Sequence, residues 1–269
     1  MLAPPKKKIL LSLAGFDPSA GAGVLLDLRV FNGHGFGGAA VLTSVTAQNS
    51  RAVQKVLALP ASFILDQYQA LAAEVRLAGI KVGMLGSGRN IQALSRILNS
   101  AGDIPRVIDP VFRSSSGFWL MGKKSIPEYL AAIQGKASLF TPNIPEAELI
   151  LGQRIRGVDG MKAAAGLIYE LVDVPCLVKG GHLARGAADV LYDGRRQVII
   201  PHRKLRKDVH GTGCFLSSTA LAYLARGWPL ARACRRAVAQ TVQAIAHSRP
   251  AGQGRPMISI FSARPAARR

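Results

Sequence analysis

The sequence predicts an α/β fold in which helices cover both faces of a central, mostly parallel β-sheet, giving three layers. Short apolar segments alternate along the chain with longer segments whose apolar residues recur at helical spacing. Strands that alternate with helices form βαβ units, which place helices on both faces of a parallel sheet. The dipeptide Asp193-Gly194 lies between two further apolar segments and indicates an antiparallel hairpin late in the chain.

Length and composition allow one domain to hold this fold. The chain has 269 residues, of which 49% are hydrophobic, and this is enough for a large core. Glycine and proline are spread along the chain and do not mark a linker. We therefore expect a single domain over residues 1–269, with a basic tail from about residue 249.

Strands and helices alternate in the first half of the chain. We predict strands at residues 8–14, 38–43, 53–59, 80–85 and 106–111. Helices are predicted at residues 22–32, 62–76 and 90–99. The helix at 62–76 has the clearest pattern, because Tyr68, Leu71 and Val75 follow one another at the three- and four-residue steps of one helix face.

The second half continues the alternation and then ends in helices. Strands are predicted at residues 139–141, 176–179, 189–192 and 197–200, and helices at 145–151 and 160–171. Two closing helices are predicted to begin at Cys214 and Leu230. We expect Arg232, Arg235 and Arg236 to lie on the solvent-exposed side of the last helix.

The net charge is unusually high. The chain has 35 basic and 15 acidic residues, giving +20, and such a balance suggests nucleic acid as a partner. Aromatic residues do not interleave with the basic ones, however, so base stacking is not supported and nucleic-acid binding is disfavoured. The basic segment 203–207 can instead attract an anionic nucleotide, whereas the arginines from residue 249 onward, including those at 264–269, are expected to be solvated.

Cysteine usage and hydropathy point to the cytoplasm. The three cysteines, Cys176, Cys214 and Cys234, are odd in number and widely spaced, so they predict neither a disulfide framework nor a zinc site. No apolar run reaches the length of a membrane span. The basic start is followed by a predicted strand, which argues against a signal peptide.

The segment His210-Gly-Thr-Gly-Cys214 predicts a phosphate-binding turn. Two glycines precede a small, apolar run with helical spacing, and the free N–H groups at such a helix start bind anions. Cys214 falls in the first turn, where the helix field favours the thiolate. A phosphate cradle next to an activated thiol suggests phosphoryl transfer. The alternative is a glycine turn before a core helix, with a cysteine that only packs.

Two other polar residues, one inside the predicted helix 22–32 and one at the end of a strand-like run, have two interpretations each. Asp27 follows the small-residue loop 15–23 and either is a surface carboxylate or accepts a hydrogen bond from a substrate. Gln48 either belongs to a polar turn or reads the edge of a heterocycle, since its amide both donates and accepts.

Three later residues suit a nucleotide in the same way. Asp109 suits a hydrated magnesium ion between phosphates, and Lys179 suits a nucleotide phosphate. Glu146 is expected near them, although a glutamate at a helix start also complements the helix dipole on its own.

Together these segments resemble the hydroxymethylpyrimidine/phosphomethylpyrimidine kinases of thiamine biosynthesis, within the ribokinase-like superfamily. The resemblance depends on TPNIPEAE at 141–148, VKGGH at 178–182 and HGTGC at 210–214. These motifs occur in the family's order, and the matching stretches span nearly the whole chain. The cysteine stands where sugar kinases carry aspartate.

The resemblance implies a ribokinase-like fold, ATP and Mg²⁺ as cofactors, and a role for each matching residue. The pyrimidine site would comprise Gly15, Asp27, Gln48, Met84 and Val111. ATP would contact Asp109, Asn143, Glu146, Lys179 and Thr212, with Asp109 and Glu146 holding the metal through water. An anion hole would be formed by Gly211, Gly213 and Cys214, with Cys214 as general base. Members are often homodimers.

The chain departs from the family at the acceptor loops. Ala20-Gly21 replaces two glycines, Ser115 and Phe118 stand where lysine or threonine and aspartate are usual, and Arg113 and Trp119 are atypical. Two other functions therefore stay open. One is a pyridoxal kinase of the cysteine-bearing type, and the other is a non-catalytic ligand sensor that binds nucleic acid through its positive charge.

Overall fold

One nine-stranded sheet organises the described part of the chain. The computed structural model describes residues 7–114, 117–181, 187–250 and 252–258, so Ser115, His182 and the arginines at 264–269 lie outside the described residues. The strands are β1 (Ile9–Phe16), β2 (Gly37–Gln48), β3 (Val53–Ala58), β4 (Leu77–Val82), β5 (Arg106–Ile108), β6 (Leu139–Phe140), β7 (Cys176–Val178), β8 (Ala188–Tyr192) and β9 (Gln197–Pro201). Their order across the sheet is β3-β2-β1-β4-β5-β6-β7-β8-β9.

The described residues also form eight α-helices, of which the last two follow the final strand. They are α1 (Gly23–Gly33), α2 (Ala61–Ala72), α3 (Ile91–Ser100), α4 (Ile126–Ile133), α5 (Ile144–Leu151), α6 (Gly157–Val172), α7 (Thr212–Leu224) and α8 (Leu230–Ala246). The side chains of α2–α6 form one apolar core against the sheet, and those of α1, α7 and α8 form the cores on its other face. The predicted three-layer arrangement is confirmed.

Strand direction also agrees with the prediction. The central strands β2, β1, β4, β5, β6 and β7 are parallel, whereas β3, β8 and β9 pair antiparallel with their neighbours. The hairpin around Asp193-Gly194 is β8–β9, as predicted. Because the parallel strands end at one edge, the polar residues that follow them are brought together there.

Strand β4 begins and ends three residues before the predicted segment 80–85, and β5 ends at Ile108 and not at residue 111. Two further elements differ more. Strand β2 continues to Gln48 and does not end at Thr43, because β3 pairs with its second half from Ser44 onward. Helix α4 was not predicted, although Ile126, Tyr129 and Ile133 are buried at helical spacing. In the part of the chain that the structure describes, no helix is long and apolar enough to cross a membrane. The single domain over 1–269 stays a prediction, and all described strands join the same sheet.

Candidate active site

A cavity of about 760 Å³ opens at the carboxyl edge of the parallel strands. It is lined by the β1–α1 loop, the end of β2, the residues that follow β4 to β7, and the start of α7. Twelve of the thirteen residues predicted for the site line it: Gly15, Gln48, Met84, Asp109, Val111, Asn143, Glu146, Lys179, Gly211, Thr212, Gly213 and Cys214. Nearly all the residues predicted for the site therefore lie around one space, which the fold brings together from distant parts of the chain.

A smaller cavity of about 240 Å³ adjoins the first and shares Asn143, Lys179, Thr212 and Gly213 with it. Apolar side chains of α8 form one wall, including Val238 and Val242. The basic segment 203–207 contributes another wall through Arg203, Lys204, Leu205 and Lys207. The smaller cavity therefore has an apolar wall and a basic wall that meet beside the residues it shares with the first.

The glycine turn is shaped by a close backbone approach. Gly211 has a φ of +87°, and a Cβ on it would lie 1.9 Å from the backbone oxygen of Gly21. Helix α7 begins immediately after it, at Thr212 and not at Cys214. Because the first N–H groups of a helix have no partner within it, those of Thr212, Gly213 and Cys214 are available to an anion in the cavity.

A buried ion pair faces this turn. Lys179 Nζ lies 2.6 Å from Asp109 Oδ1, which also accepts a hydrogen bond from Thr141 Oγ1 at 3.1 Å. Burial lowers the pKa of Lys179, but Asp109 and Glu146 outweigh it and hold that pKa above its usual range. A Cβ on Gly213 would lie 3.3 Å from both Asp109 Oδ2 and Lys179 Nζ, so glycine keeps the space between turn and ion pair open.

Glu146 has a structural role besides any role toward a ligand. Its Oε2 accepts from the Asn143 N–H at 2.7 Å, while Asn143 Oδ1 accepts from the Glu146 N–H at 2.9 Å, forming a capping box on α5. Burial raises the pKa of Glu146 to about 8, and the charge of Asp109 adds to this against the opposing effect of Lys179. Glu146 therefore caps the start of α5 through hydrogen bonds, and its side chain also lines the cavity.

The opposite end of the cavity carries a polar network that the sequence analysis missed. His210 Nε2 lies 2.8 Å from Asp17 Oδ2 and 3.1 Å from Gln48 Nε2. Burial acts to raise the pKa of Asp17, but hydrogen bonds from His210 and Ser19 prevail and lower it. The His210 nitrogen either donates to Asp17 or accepts from Gln48, so its tautomer decides what Gln48 offers to a ligand. His210 belongs to the motif at 210–214 and Gln48 was predicted for the acceptor site, but their proximity to each other and to Asp17 was not predicted.

The predicted contact between Asp27 and a substrate is not compatible with the structure. It is fully buried, does not line the cavity, and pairs with Lys81 Nζ at 2.9 Å. Ser12 and Ser218 donate to its two oxygens at 2.6 and 2.7 Å, so the expected direct contact with a substrate does not agree with this geometry. Lys81, which lies at the cavity floor, was not predicted. A lysine inside an apolar strand was the available signal.

Cys214 also differs from expectation. It lies in the first turn of α7 and lines the cavity, as predicted. However, burial raises the pKa of its thiol to about 11, although Lys81 and a backbone hydrogen bond from Gly23 act to lower it. The predicted preference for thiolate is therefore wrong for the ligand-free chain, because burial outweighs the field of the helix start.

Two of the atypical residues, Arg113 and Trp119, form an isolated antiparallel bridge beside the cavity. The guanidinium carbon of Arg113 lies 4.6 Å from the ring centroid of Trp119. Arg113, Ser114 and Gly117 line the cavity, while Phe118 and Trp119 are each 41% exposed. Among the described departures from the family pattern, Arg113 therefore belongs to the cavity wall, whereas Phe118 and Trp119 face solvent.

A three-layer αβα fold with a glycine turn facing a buried Asp–Lys pair and a thiol defines a phosphotransferase of the ribokinase-like class. The sequence profile described as "Phosphomethylpyrimidine kinase" matches residues 17–259. The chain therefore belongs to the phosphomethylpyrimidine kinase family.

Relatives and solved structures agree with this family. The chain is 36% identical over 248 residues to a hydroxymethylpyrimidine/phosphomethylpyrimidine kinase of Aquifex aeolicus, covering 91% of this chain and 97% of that one. It is similar to the solved phosphomethylpyrimidine kinase of Clostridium difficile, with TM-score 0.77, 34% identity, and coverage of 89% and 100%. It is also similar to the pyridoxal kinase of Staphylococcus aureus in complex with ADP, with TM-score 0.88, 25% identity, and coverage of 97% and 96%.

Proposed function

We propose that this chain is an ATP-dependent kinase that phosphorylates the hydroxymethyl arm of 4-amino-5-hydroxymethyl-2-methylpyrimidine, and then its monophosphate, for thiamine biosynthesis. One observation carries this proposal. A single cavity joins the glycine turn and Cys214 to the polar network of Gln48, His210 and Asp17. The first end suits a phosphoryl group, and the second suits the nitrogen-rich edge of an aminopyrimidine.

ATP would extend from the turn into the smaller cavity. Its phosphates would meet the N–H groups of Thr212 and Gly213 and the ammonium group of Lys179, and its base would meet the apolar wall of α8. The ADP complex of the Staphylococcus aureus relative supports a nucleotide for this fold. Phosphoryl transfer needs mainly positioning and charge stabilisation, and this half of the cavity provides both.

Asp109 and Glu146 would hold Mg²⁺ through water. Among the described residues no group of three His, Cys, Asp or Glu side chains could bind an ion directly. The donor set fits a hydrated ion, because Mg²⁺ keeps several waters and takes one or two carboxylates besides phosphate oxygens. When bound, the ion would neutralise charge on the phosphates.

Cys214 would accept the proton of the substrate hydroxyl. A neutral thiol cannot accept a proton, so the reacting form is the thiolate. Gln48 and Met84 would orient the ring; Met84 lies against Gly15, where a Cβ would be 2.3 Å from its Cε. Gly15 thus gives the methionine room to form an apolar wall of the acceptor site.

Gln48→Leu is expected to weaken binding of the pyrimidine by about 1–3 kcal/mol, because a buried polar group of the ligand loses its partner. Leucine has a similar size and leaves the wall of the cavity in place. Titration calorimetry with the pyrimidine and with an ATP analogue measures both affinities, and the ATP affinity should hold. An equal loss for both ligands would mean that Gln48 supports the fold and not the acceptor.

Neutralising the basic segment 203–207 is expected to raise the KM for ATP. Arg203, Lys204 and Lys207 line the smaller cavity, so glutamine at these positions and at Arg206 removes charge beside the nucleotide. The effect should shrink as salt increases, since ions screen such charges within about 10 Å at 0.1 M. Matched neutralisation of Arg232, Arg235 and Arg236, which are exposed on α8, should leave the KM unchanged. An unchanged KM at low salt in the first variant would make this segment ordinary surface charge.

Self-association and location are further parts of the proposal. Val45 and Leu57 lie opposite each other on β2 and β3 and are 37% and 64% exposed, and Phe63 on α2 is 52% exposed. The exposed Val45–Leu57 pair at the edge strand β3 suits contact with a second copy of the chain. The three cysteines are free, which is consistent with work in the reducing cytoplasm.

Pyridoxal is the second candidate acceptor, because the likeness in structure to a pyridoxal kinase has a TM-score of 0.88. The higher sequence identity, 34%, is to a phosphomethylpyrimidine kinase, and this favours the pyrimidine. Steady-state kcat/KM for the pyrimidine, its monophosphate and pyridoxal, measured side by side, tests the choice. We expect the pyrimidine to lead. A higher value for pyridoxal would reverse the assignment, and absence of turnover with all three would revive the nucleic-acid-binding alternative.

A further inference from the structure

A fully buried lysine lies at the floor of the active site. Lys81 is on β4, a central strand, and its side chain has no exposed surface. Its ammonium nitrogen lies 2.9 Å from Oδ2 of Asp27, which is equally buried. Desolvating two charges costs about as much as their attraction returns, so stability alone gives little reason to keep this pair in the core.

The hydrogen bonds of Asp27 connect this ion pair to the helix that carries Cys214. Asp27 accepts from Ser218 at 2.7 Å, and Ser218 lies four residues after Cys214 on α7. Residues four apart lie on the same face of a helix, so Cys214 faces the same side of the interior as Ser218. Gly23, four residues before Asp27 on α1, provides the backbone hydrogen bond to the thiol. Helices α1 and α7 therefore contact each other at two points, Asp27–Ser218 and Gly23–Cys214, which lie one helical turn apart.

The charged groups around the Cys214 thiol shift its pKa in opposite directions. Burial and the carboxylates of Asp27 and Asp109 raise the pKa of Cys214, and Lys81 is the main group that lowers it. Lys179 also interacts with the thiol, but its ammonium group is held against Asp109 at 2.6 Å. Burial acts to lower the pKa of Lys81, yet Asp27, Cys214 and Asp109 hold it above its usual range. Lys81 thus stays protonated.

We infer that Lys81 is a positioning residue for the reaction, whose permanent charge, fixed by Asp27, stabilises the Cys214 thiolate that accepts the substrate proton. The inference rests on the proposed role of Cys214. Cys214 first releases its proton to solvent. The hydroxyl proton then passes to its sulfur, the substrate oxygen bonds to the γ-phosphorus, and the bond from that phosphorus to the oxygen of ADP breaks. Lys81 keeps its proton throughout, and Cys214 loses the acquired proton to solvent after the product leaves.

Alkylation of Cys214 by iodoacetamide tests this without any substrate. The rate reports the thiolate fraction, since the thiolate is the nucleophile. Lys81→Gln removes the charge and keeps a donor for Asp27, whereas Lys81→Arg keeps the charge. At pH 8.5, followed by peptide mass spectrometry, we expect at least a tenfold slower reaction in Lys81→Gln, which corresponds to about one pKa unit. The alkylation rate of Lys81→Arg should stay within about threefold of the wild-type rate, which corresponds to a change in the thiol pKa of about half a unit or less.

Two outcomes would overturn the inference. One is an unchanged rate in Lys81→Gln, and the other is an equal loss in both variants, which would indicate packing and not charge. Lys162→Met is the matched control, because it removes a lysine paired with exposed Asp159 at 2.8 Å, and its rate should equal the wild type. Circular dichroism checks that each variant folds.

A third variant keeps the test decisive if Lys81→Gln does not fold. The double variant Lys81→Met/Asp27→Asn removes both buried charges together, which a core tolerates better than the loss of one partner. Because Lys81 acts on the thiol more strongly than Asp27 does, alkylation should still become slower; an unchanged or faster rate would contradict the inference. The alkylation assay uses neither ATP nor acceptor, so it tests the inference about Lys81 independently of the proposed kinase activity. An unchanged alkylation rate would overturn the inference even if the chain is a kinase, and a lack of kinase activity would overturn the proposed function even if the alkylation rate changes as expected.

Discussion

Replacing Cys214 with alanine is expected to lower kcat by about 10²–10⁴, because the substrate hydroxyl then has no side chain that accepts its proton. The KM for ATP should change little, since the N–H groups of the glycine turn belong to the backbone. Stopped-assay kinetics at saturating ATP and pyrimidine measure the loss. A kcat near the wild-type value would refute the role of Cys214 as base.

The pH dependence of the same reaction is a second test of Cys214 as the general base. Because burial raises the pKa of the thiol to about 11, the thiolate is a minor form at neutral pH and its fraction grows as pH rises. We therefore expect kcat to increase through pH 7–9. Cys214→Asp, which places an acid of much lower pKa at this position, should retain some turnover and lose this increase. The same rise in Cys214→Asp would assign it to another group.

Lys179→Met should lower kcat by about 10²–10³, the usual cost of removing one preorganised charge from a transition state. Lys179 Nζ lies 2.6 Å from Asp109 and faces the glycine turn, so its loss leaves two carboxylates, Asp109 and Glu146, without the cation between them. The pKa of Glu146 should then rise above its present value of about 8.

Kinetics at saturating acceptor, with Lys162→Met as control, separate this effect from general destabilisation. Pyrimidine affinity should remain close to the wild type in Lys179→Met, because the acceptor end of the cavity is formed by other residues. A loss of kcat below threefold would remove Lys179 from the phosphate site. A parallel loss in Lys162→Met would show that the assay responds to surface charge.

Local sequence was sufficient for most of the fold, and together with the family resemblance it identified twelve residues that line the cavity. Glycines at 211 and 213, followed by a small apolar run, specify a turn and a helix whatever surrounds them. Polar residues such as Asp109 and Lys179 follow short apolar strands, and parallel strands end at one edge. Their meeting in space therefore follows from the fold class.

Features that depend on three-dimensional surroundings could not be predicted. Asp27 was expected to contact a ligand, but in the core it pairs with Lys81, which lies 54 residues away in the chain. The pKa of Cys214 depends on how burial balances the helix field and Lys81, and no local pattern gives that balance. Strand β2 continues to Gln48 only because β3 pairs with it.

The most direct measurement of the central claim is the identity of the product. Purified chain is incubated with ATP, Mg²⁺ and 4-amino-5-hydroxymethyl-2-methylpyrimidine, and the mixture is followed by phosphorus-31 NMR and mass spectrometry. We predict a pyrimidine monophosphate ester first and the diphosphate later, with one ADP formed for each phosphoryl group transferred. Unchanged pyrimidine, whether ATP persists or is hydrolysed to ADP and free phosphate, would contradict the claim.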